Sequence, residues 1–217
     1  MQRILLSHGG GGRQTQKLVR KLFAKHFANS TLDQFGDSAL LDFDSRVTGH
    51  GSRVTNLAFT TDSYVVRPLE FPGGNIGKLA VCGTVNDLAV SGAKPLWLSC
   101  GFIIEEGFEF DKLERIVVSM AETARKANVS IVCGDTKVVD RGTADGLFIN
   151  TAGVGRRISK KPLSQNAIQA GDKVLLSGTI ADHGIAIMAS RKELTLETPI
   201  ESDCASLNES VSYTHLT

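Results

Sequence analysis

The sequence predicts an α+β fold, because strand-like and helix-like segments alternate along the chain and long loops separate them. Several strand-like segments also alternate apolar with polar residues, which favours this class over a simple doubly wound sheet. The chain has 217 residues, of which 41% are hydrophobic, so it can bury a sizeable core. We therefore expect one large domain followed by part of a second.

The charge balance and the cysteine pattern exclude several classes of protein. The chain has 24 Lys and Arg residues against 23 Asp and Glu residues, with no basic run, which argues against nucleic acid or an anionic membrane as the main partner. No stretch approaches transmembrane length and the amino terminus lacks a hydrophobic signal core, so we expect a cytoplasmic location. No CxxC pair is present, so we expect buried thiols, not disulfides or a zinc site, at Cys82, Cys100, Cys133 and Cys204.

The amino-terminal part combines a glycine run with two predicted strands. Four glycines at residues 9–12 indicate a mobile loop, and the apolar spacing that follows predicts an amphipathic helix over residues 16–27. Residues 32–43 are typical of a strand that is interrupted by a turn or bulge. A second strand over residues 54–61 is expected to carry Asp62 at its carboxyl end.

The most informative stretch is residues 71–95. A turn signal precedes apolar residues at helical spacing, and Gly92 and Pro95 forbid continuation of the helix. The pattern predicts a packed helix that places Asn86 and Asp87 among small residues, where another group can come close. Asp87 must then be paired, hydrogen-bonded or bound to a cation, because isolated burial of a carboxylate is costly.

The elements after this helix repeat the alternation of strand and helix. Asp111 and Glu114 form a pattern like a capping box, which predicts that a helix opens at Asp111. The expected strands cover residues 96–105, 129–133 (a short buried strand, ending before Gly134) and 147–154.

The composition becomes basic and polar after residue 155, which predicts an inter-domain linker. A fresh strand over residues 173–177 and a fresh helix from Asp182 indicate the start of a second domain. The predicted divisions are an amino-terminal domain (1–155), a linker (156–172), the start of a carboxyl-terminal domain (173–210) and a tail (211–217).

Acidic residues recur where predicted apolar elements end or are interrupted. Carboxylates presented in this way can converge, and Mg²⁺ is commonly held by one or two carboxylates together with water and phosphate oxygens. Asn86 would add a neutral ligand or a hydrogen bond to phosphate. The alternative is that each acidic residue is a turn or cap residue. The four positions are Asp37, Asp62, Asp87 and Asp135.

The glycine run and two basic residues are further candidates. Glycines can fold over phosphates because their backbone N–H groups approach a ligand closely, although the run matches neither the Walker pattern nor a dinucleotide fingerprint. A plain flexible loop is the alternative. Lys137 would bind a phosphate or act on a substrate. The alternative is that it forms an ion pair with Asp140 or is solvated. His8 is a candidate base, and otherwise an exposed histidine.

Five segments carry a family resemblance. They read GDSALL, FTTDSYVVRPLEFPGGNIGKLAVCGTVNDLAVSGAKP, IIEEG, CGDTKVV and GTIADHGIAI. These segments resemble the HypE family of nickel-iron hydrogenase maturation factors, within the superfamily of aminoimidazole ribonucleotide synthetase and selenophosphate synthetase. The resemblance extends to about residue 210, and the longest segment is highly specific.

The resemblance implies a PurM-like amino-terminal domain whose mixed sheet contributes to a β-barrel shared by a homodimer, plus the start of a second α/β domain. It also implies ATP-dependent dehydration of a carbamoylated carboxyl-terminal cysteine to a thiocyanate, which supplies cyanide for the hydrogenase iron. The implied partners are HypF, as carbamoyl donor, and HypC–HypD, as cyanide acceptor. The implied residues for ATP and Mg²⁺ are Gly9, Gly10, Gly11, Asp37, Asp62, Asn86, Asp87, Asp135 and Thr136, with Asp182 as a further metal ligand; Lys137 and His8 are the candidate catalytic bases.

One departure from the family concerns the end of the chain. Family members end in Pro-Arg-Ile before a terminal cysteine, whereas this chain ends in His-Leu-Thr. We therefore expect that this polypeptide alone does not complete the dehydration. Two alternatives stay open: another ATP-using member of the superfamily, such as a small-molecule kinase or synthetase, and a non-catalytic dimeric scaffold.

Overall fold

The structure is a computed structural model, and it describes most of the chain between residues 4 and 211. The described residues are 4–8, 12–27, 29, 31, 33, 38–43, 55–159, 163, 168–192, 194 and 196–211. Among the predicted site residues, Gly9, Gly10, Gly11 and Asp37 lie outside them, so the predictions for these four stay untested.

The centre of the fold is a five-stranded mixed sheet with the strand order β1-β2-β7-β5-β6. Only β5 and β6 pair in parallel, and the other neighbours are antiparallel. A separate two-stranded ribbon pairs β3 with β4. The mixed sheet confirms the predicted α+β class. The strands are β1 (Ala39–Phe43), β2 (Thr55–Tyr64), β3 (Glu70–Phe71), β4 (Gly74–Asn75), β5 (Ala93–Glu105), β6 (Ser130–Val139) and β7 (Leu147–Arg157).

The helices differ in how deeply they are buried. The amino-terminal helical run is mostly exposed, with Ala24 as its buried residue, whereas α3 and α4 are packed. No helix in the described part of the chain is long and apolar enough to cross a membrane. The helices are α1 (Arg13–Leu18), a π-helical turn (Val19–Phe23), α2 (Ala24–Phe27), α3 (Ile76–Val90), α4 (Phe110–Lys126) and α5 (Asp182–Ser190).

Helix α3 lies against one face of the sheet. It begins after Asn75, whose side chain accepts a 3.0 Å hydrogen bond from the backbone N–H of Lys78 and so caps the first turn. Gly153 of β7 allows the close approach, because a Cβ at that position would lie 2.8 Å from Thr84 and 3.0 Å from Leu88. The predicted packed helix over this stretch is therefore confirmed.

Helix α4 packs on α3 through a buried stripe that includes Ile116 and Met120. The stripe meets α3 at Gly77, where the absence of a side chain lets the two helices touch. The predicted capping box is wrong: the N-cap residue is Glu109, and Asp111 lies inside the first turn, because the helix starts at Phe110.

Three strand predictions need correction. Strand β2 continues beyond Asp62 to Tyr64, so Asp62 lies within the strand. Strand β6 covers Ser130–Val139 and is exposed along almost its whole length, so the expected short buried strand is wrong and Cys133 is exposed. The strand expected over residues 173–177 does not form, and Val174, Leu175 and Leu176 are exposed there.

The second face of the sheet is open within the described residues and carries several partly exposed hydrophobic side chains. Side chains alternate between the two faces of a strand, so neighbours of the buried residues point away from α3. Large hydrophobic side chains on this open face are 40–49% exposed, at Leu41, Phe59, Trp97 and Ile103.

Glu105 organises the turn between β6 and β7. Its carboxylate accepts hydrogen bonds from the backbone N–H groups of Gly142 at 2.6 Å and Gly146 at 2.9 Å. These two bonds hold the pKa of Glu105 below its ordinary value. A carboxyl with a lowered folded-state pKa stabilises the fold above its unfolded pKa, and the contribution is lost as the pH falls through the folded pKa.

We therefore expect Glu105→Gln to lower the hydrogen-exchange protection of the Gly142 and Gly146 amides at neutral pH. The difference from the unmodified protein should shrink as the pH falls into the acid range, where the native carboxyl is itself protonated. Glu106→Gln is the matched control, because Glu106 is the exposed neighbour. Equal protection in Glu105→Gln and the unmodified protein at neutral pH would contradict the prediction.

Candidate functional site

Two of the predicted carboxylates meet at the boundary between β2 and α3. Thr60, Asp62 and Tyr64 alternate along β2 and therefore share the face that α3 covers. The Thr60 hydroxyl donates a 3.1 Å hydrogen bond to Oδ2 of Asp87 on α3. Oδ1 of Asp62 accepts a 2.8 Å hydrogen bond from the backbone N–H of Ser63. The sheet and the helix thus place Asp62 and Asp87 around the same buried neighbour, Tyr64.

A chain of buried hydroxyl groups lies beneath this pair. The Tyr64 hydroxyl lies 3.3 Å from Oγ1 of Thr84, which lies 2.5 Å from Oγ1 of Thr151. Gly83 makes room for the Tyr64 ring, since a Cβ there would collide with the hydroxyl. Burial raises the pKa of Tyr64, and the negative charges of Asp62 and Asp87 raise it further. Tyr64 is therefore a neutral phenol beside two carboxylates.

The backbone around Asp87 is fixed by two serines. The Asp87 carbonyl accepts hydrogen bonds from the Ser91 hydroxyl at 2.9 Å and the Ser38 hydroxyl at 3.1 Å. Ser91 is the C-cap residue of α3, and Ser38 precedes β1. The carboxylate therefore projects from a helix end held by both neighbouring elements.

Asn86 has partners that the sequence did not indicate. Its Nδ2 donates a 3.0 Å hydrogen bond to the Ala205 carbonyl, and its Oδ1 accepts a 2.7 Å hydrogen bond from the Leu207 N–H. Both halves of the amide thus hold the late segment of the chain on α3. The predicted contact between Asn86 and nucleotide stays a prediction.

Asp135 and Lys137 lie on β6, away from the Asp62–Asp87 pair. Strands β7 and β5 separate β6 from β2, and Asp135 pairs with Gly101 on the open face of the sheet. Nζ of Lys137 is 3.8 Å from Oδ2 of Asp135, and both side chains are 73% exposed. Within this chain the structure therefore brings together two of the predicted carboxylates, but not Asp135.

Thr136 lies on the other side of β6, where it lines a cleft of about 540 Å³. Its register partner is Phe102 of β5, and this shallow, open cleft is also lined by Cys100, Gly134 and Asp135. The cleft is large enough for a small ligand, but it belongs to the β5–β6 edge and not to the Asp62–Asp87 pair.

His8 and Asp182 lie in two other parts of the chain. Nδ1 of His8 accepts a 3.0 Å hydrogen bond from the backbone N–H of Leu5, which closes a short helical turn. Asp182 is the first residue of α5, and the next residue, His183, packs its ring against Phe71 of β3 at 5.1 Å.

The donor set of the Asp62–Asp87 pair fits a hard cation such as Mg²⁺, because both side chains offer carboxylate oxygens. Within the described residues no group of three His, Cys, Asp or Glu side chains is placed to hold a metal ion. Mg²⁺ commonly uses one or two protein carboxylates and completes its shell with water and phosphate oxygens, so two carboxylates are consistent with it.

The mixed sheet, the two helices on one of its faces and the polar cluster between them define a PurM-like α+β domain. The family model for AIR synthase related protein, N-terminal domain, matches residues 36–157, which is more than half of the chain. The chain belongs to this family.

Relatives with assigned names are similar over nearly the whole chain. Carbamoyl dehydratase HypE of Escherichia coli (strain K12) is 53% identical over 207 residues, covering 95% of this chain and 60% of that protein. A solved HypE–HypF complex has a TM-score of 0.80 at 50% identity, covering 89% of this chain and 60% of that chain. A solved structure of HypE in complex with ATP has a TM-score of 0.71 at 47% identity, covering 99% of this chain and 61% of that chain.

These findings confirm the resemblance to HypE that the sequence motifs indicate. The chain spans about 60% of the length of these curated relatives.

Proposed function

We propose that this chain carries the ATP-binding part of a carbamoyl dehydratase of the HypE type, which acts in hydrogenase maturation. The observation that carries the proposal is the placement of Asp62 and Asp87 at the junction of β2 and α3, where Asp87 accepts a hydrogen bond from Thr60 and both carboxylates act on buried Tyr64. The similarity to a HypE that was solved in complex with ATP supports the same conclusion.

The proposed role of the pair is to hold Mg²⁺ and, through it, the phosphates of ATP. Bound Mg²⁺ and ATP would supply the phosphoryl transfer that activates the carbamoyl oxygen on the path to a thiocyanate. Thr60 and the serines around Asp87 keep the carboxylates in position, which matters because catalysis of phosphoryl transfer is largely positioning and electrostatics. Buried Tyr64 stays uncharged and adds no competing negative charge.

The remaining predicted site residues complete the proposal. Asp37, the glycines Gly9, Gly10 and Gly11, Asn86 and Asp182 would contribute to the nucleotide site, whereas Asp135 and Thr136, which lie on β6 away from Asp62 and Asp87, would contribute to it from the second copy of the proposed homodimer. Either Lys137 or His8 is the proposed base for removal of a proton from the carbamoyl nitrogen.

The proposed assembly is a cytoplasmic homodimer. The open face of the sheet, with Phe59 and Trp97 among its exposed side chains, gives a physical reason for pairing, since a second copy would cover it. HypF is the proposed carbamoyl donor, which the similarity to a HypE–HypF complex supports. HypC–HypD is the proposed cyanide acceptor.

Calorimetric titration of the chain with ATP tests the central part of the proposal. We expect binding in the presence of Mg²⁺ and loss of most of it when a chelator removes the metal. Asp87→Asn should weaken Mg²⁺-dependent binding by about ten- to a hundredfold, because a charged contact contributes about 1.5–3 kcal/mol. The Asn side chain still accepts the hydrogen bond from Thr60, so the fold should persist.

The matched control is Asp111→Asn, which removes an exposed charge from α4. Circular dichroism melts of both variants confirm that each is folded. ATP binding that is indifferent to Mg²⁺ and to Asp87→Asn would contradict the proposed role, and a dimer without any ATP binding would favour the scaffold alternative.

A further inference from the structure

Two cysteines far apart in the chain lie side by side at the surface of α3. The late segment, defined here as residues 202–208, lies along α3 and is hydrogen-bonded on both sides of Cys204, first to the turn that precedes α3 and then to α3 itself. Before Cys204, the Ser202 N–H donates to the Pro72 carbonyl at 2.9 Å. After it, Ala205 and Leu207 bond the Asn86 amide. Cys204 is thereby held over the turn of α3 that contains Cys82.

The two thiols interact directly and differ in character. Cys82 is buried, one helical turn before Asn86, whereas Cys204 is partly exposed. The neighbouring thiol and burial raise the pKa of Cys82, whereas the same neighbouring thiol lowers the pKa of Cys204. Lys78, one turn before Cys82, adds a positive charge that lowers the pKa of both groups, while Asp203 acts in the opposite direction on Cys204.

We propose that Cys82 and Cys204 form a reactive dithiol, which a low-molecular-weight disulfide converts into an intrachain disulfide that fastens the late segment to α3. This proposal uses Asn86 only as the residue that holds the late segment, and none of its steps uses Asp62, Asp87 or ATP.

The chemistry proceeds in two exchanges. The Cys204 thiolate attacks the small disulfide, so that a mixed disulfide forms and one small thiolate leaves. Cys82 then gives up its proton to the solvent or to that leaving thiolate and attacks the sulfur of Cys204, which releases the second small thiol. The two protein thiols are oxidised by two electrons and the small disulfide is reduced to two thiols. A small thiol in excess reverses both steps.

The exposure of the thiols sets this order. Cys204 is partly exposed and its pKa is lowered by the neighbouring thiol, so it is the attacking group, whereas buried Cys82 resolves the mixed disulfide. Cys100 is buried in β5 and its pKa is raised to about 11 by burial, so it should not react. Cys133 is exposed on β6 and would form a mixed disulfide of its own.

The test uses the full chain with Cys133→Ser, so that the exposed thiol does not compete. After incubation with oxidised glutathione, peptide mass spectrometry should find Cys82 joined to Cys204, with the loss of two hydrogen atoms and no retained glutathione. Adding Cys82→Ala should leave glutathione attached to Cys204. Persistent glutathione on Cys204 in the presence of Cys82, or no reaction at Cys204 in either protein, would overturn the proposal.

Two further measurements test whether the disulfide forms only between Cys82 and Cys204 and whether it restrains the late segment. In urea the same reagent should give several disulfide pairings, including some that involve Cys100. In the folded protein it should give the Cys82–Cys204 disulfide alone. A disulfide to Cys100 in the folded protein would count against the proposal. Hydrogen exchange of the Leu207 amide should slow by about tenfold on oxidation and recover on reduction, because the disulfide restricts local opening. Unchanged exchange would show that the late segment is not fastened.

Discussion

Replacement of Ile116 by alanine is expected to lower the free energy of unfolding by about 2–5 kcal/mol, the range for truncating a fully buried isoleucine. Ile116 is 0% exposed and lies where α4 meets Gly77 of α3. Its loss leaves a cavity between the two helices, and the close contact of their backbones limits how far they can collapse into it. Urea denaturation followed by circular dichroism measures the change.

Val118→Ala provides the matched control for this experiment. Val118 lies two residues further along the same helix and is 50% exposed, so it loses little buried area and gains helix propensity on becoming alanine. We expect its free energy of unfolding to change by less than about 0.5 kcal/mol. Equal losses for the two variants would show that α4 is not packed on α3 through Ile116.

Gly77→Ala is expected to destabilise the protein by about 1–3 kcal/mol even though alanine is the better helix former. A Cβ at Gly77 would lie 2.5 Å from the Ile116 carbonyl oxygen and 2.6 Å from Cγ of Met120. The Met120 side chain can move aside, but the Ile116 backbone cannot, so α3 and α4 must separate. This overpacking cost exceeds the gain of about 1 kcal/mol in helix propensity.

Thermal unfolding of Gly77→Ala should be compared with that of Gly184→Ala. Gly184 also lies in a helix, α5, but a Cβ there would meet nothing within 4 Å. The same substitution should therefore be neutral or stabilising by up to about 1 kcal/mol at Gly184. A higher melting temperature for Gly77→Ala than for the unmodified protein would refute the close packing of the two helices.

Much of the fold could be predicted from local pattern. The central helix was predicted because Gly92 and Pro95 end it, and the observed α3 runs from Ile76 to Val90. Helix α4 was predicted because its apolar stripe has helical spacing.

The features that could not be predicted depend on partners distant in sequence. Asn86 bonds backbone groups of Ala205 and Leu207, and backbone groups of a loop carry no sequence signal. The face of β6 that carries Asp135 depends on its register with β5, which a strand pattern of mixed small and polar residues specifies weakly. The expected strand over residues 173–177 has the right composition but no neighbouring strand within the described residues, and isolated strands do not form.

The late segment has a thermodynamic consequence for the three helices that it touches. It bonds Asn86 on α3, Asp203 accepts from the backbone N–H of His183 on α5, and Asn208 donates to the carbonyl of Ala127 at the end of α4. If one of these helix ends frays, the late segment shifts, and its hydrogen bonds to the other two helix ends are weakened. Local unfolding in this region should be a single cooperative event with one opening free energy, which the three helix ends share.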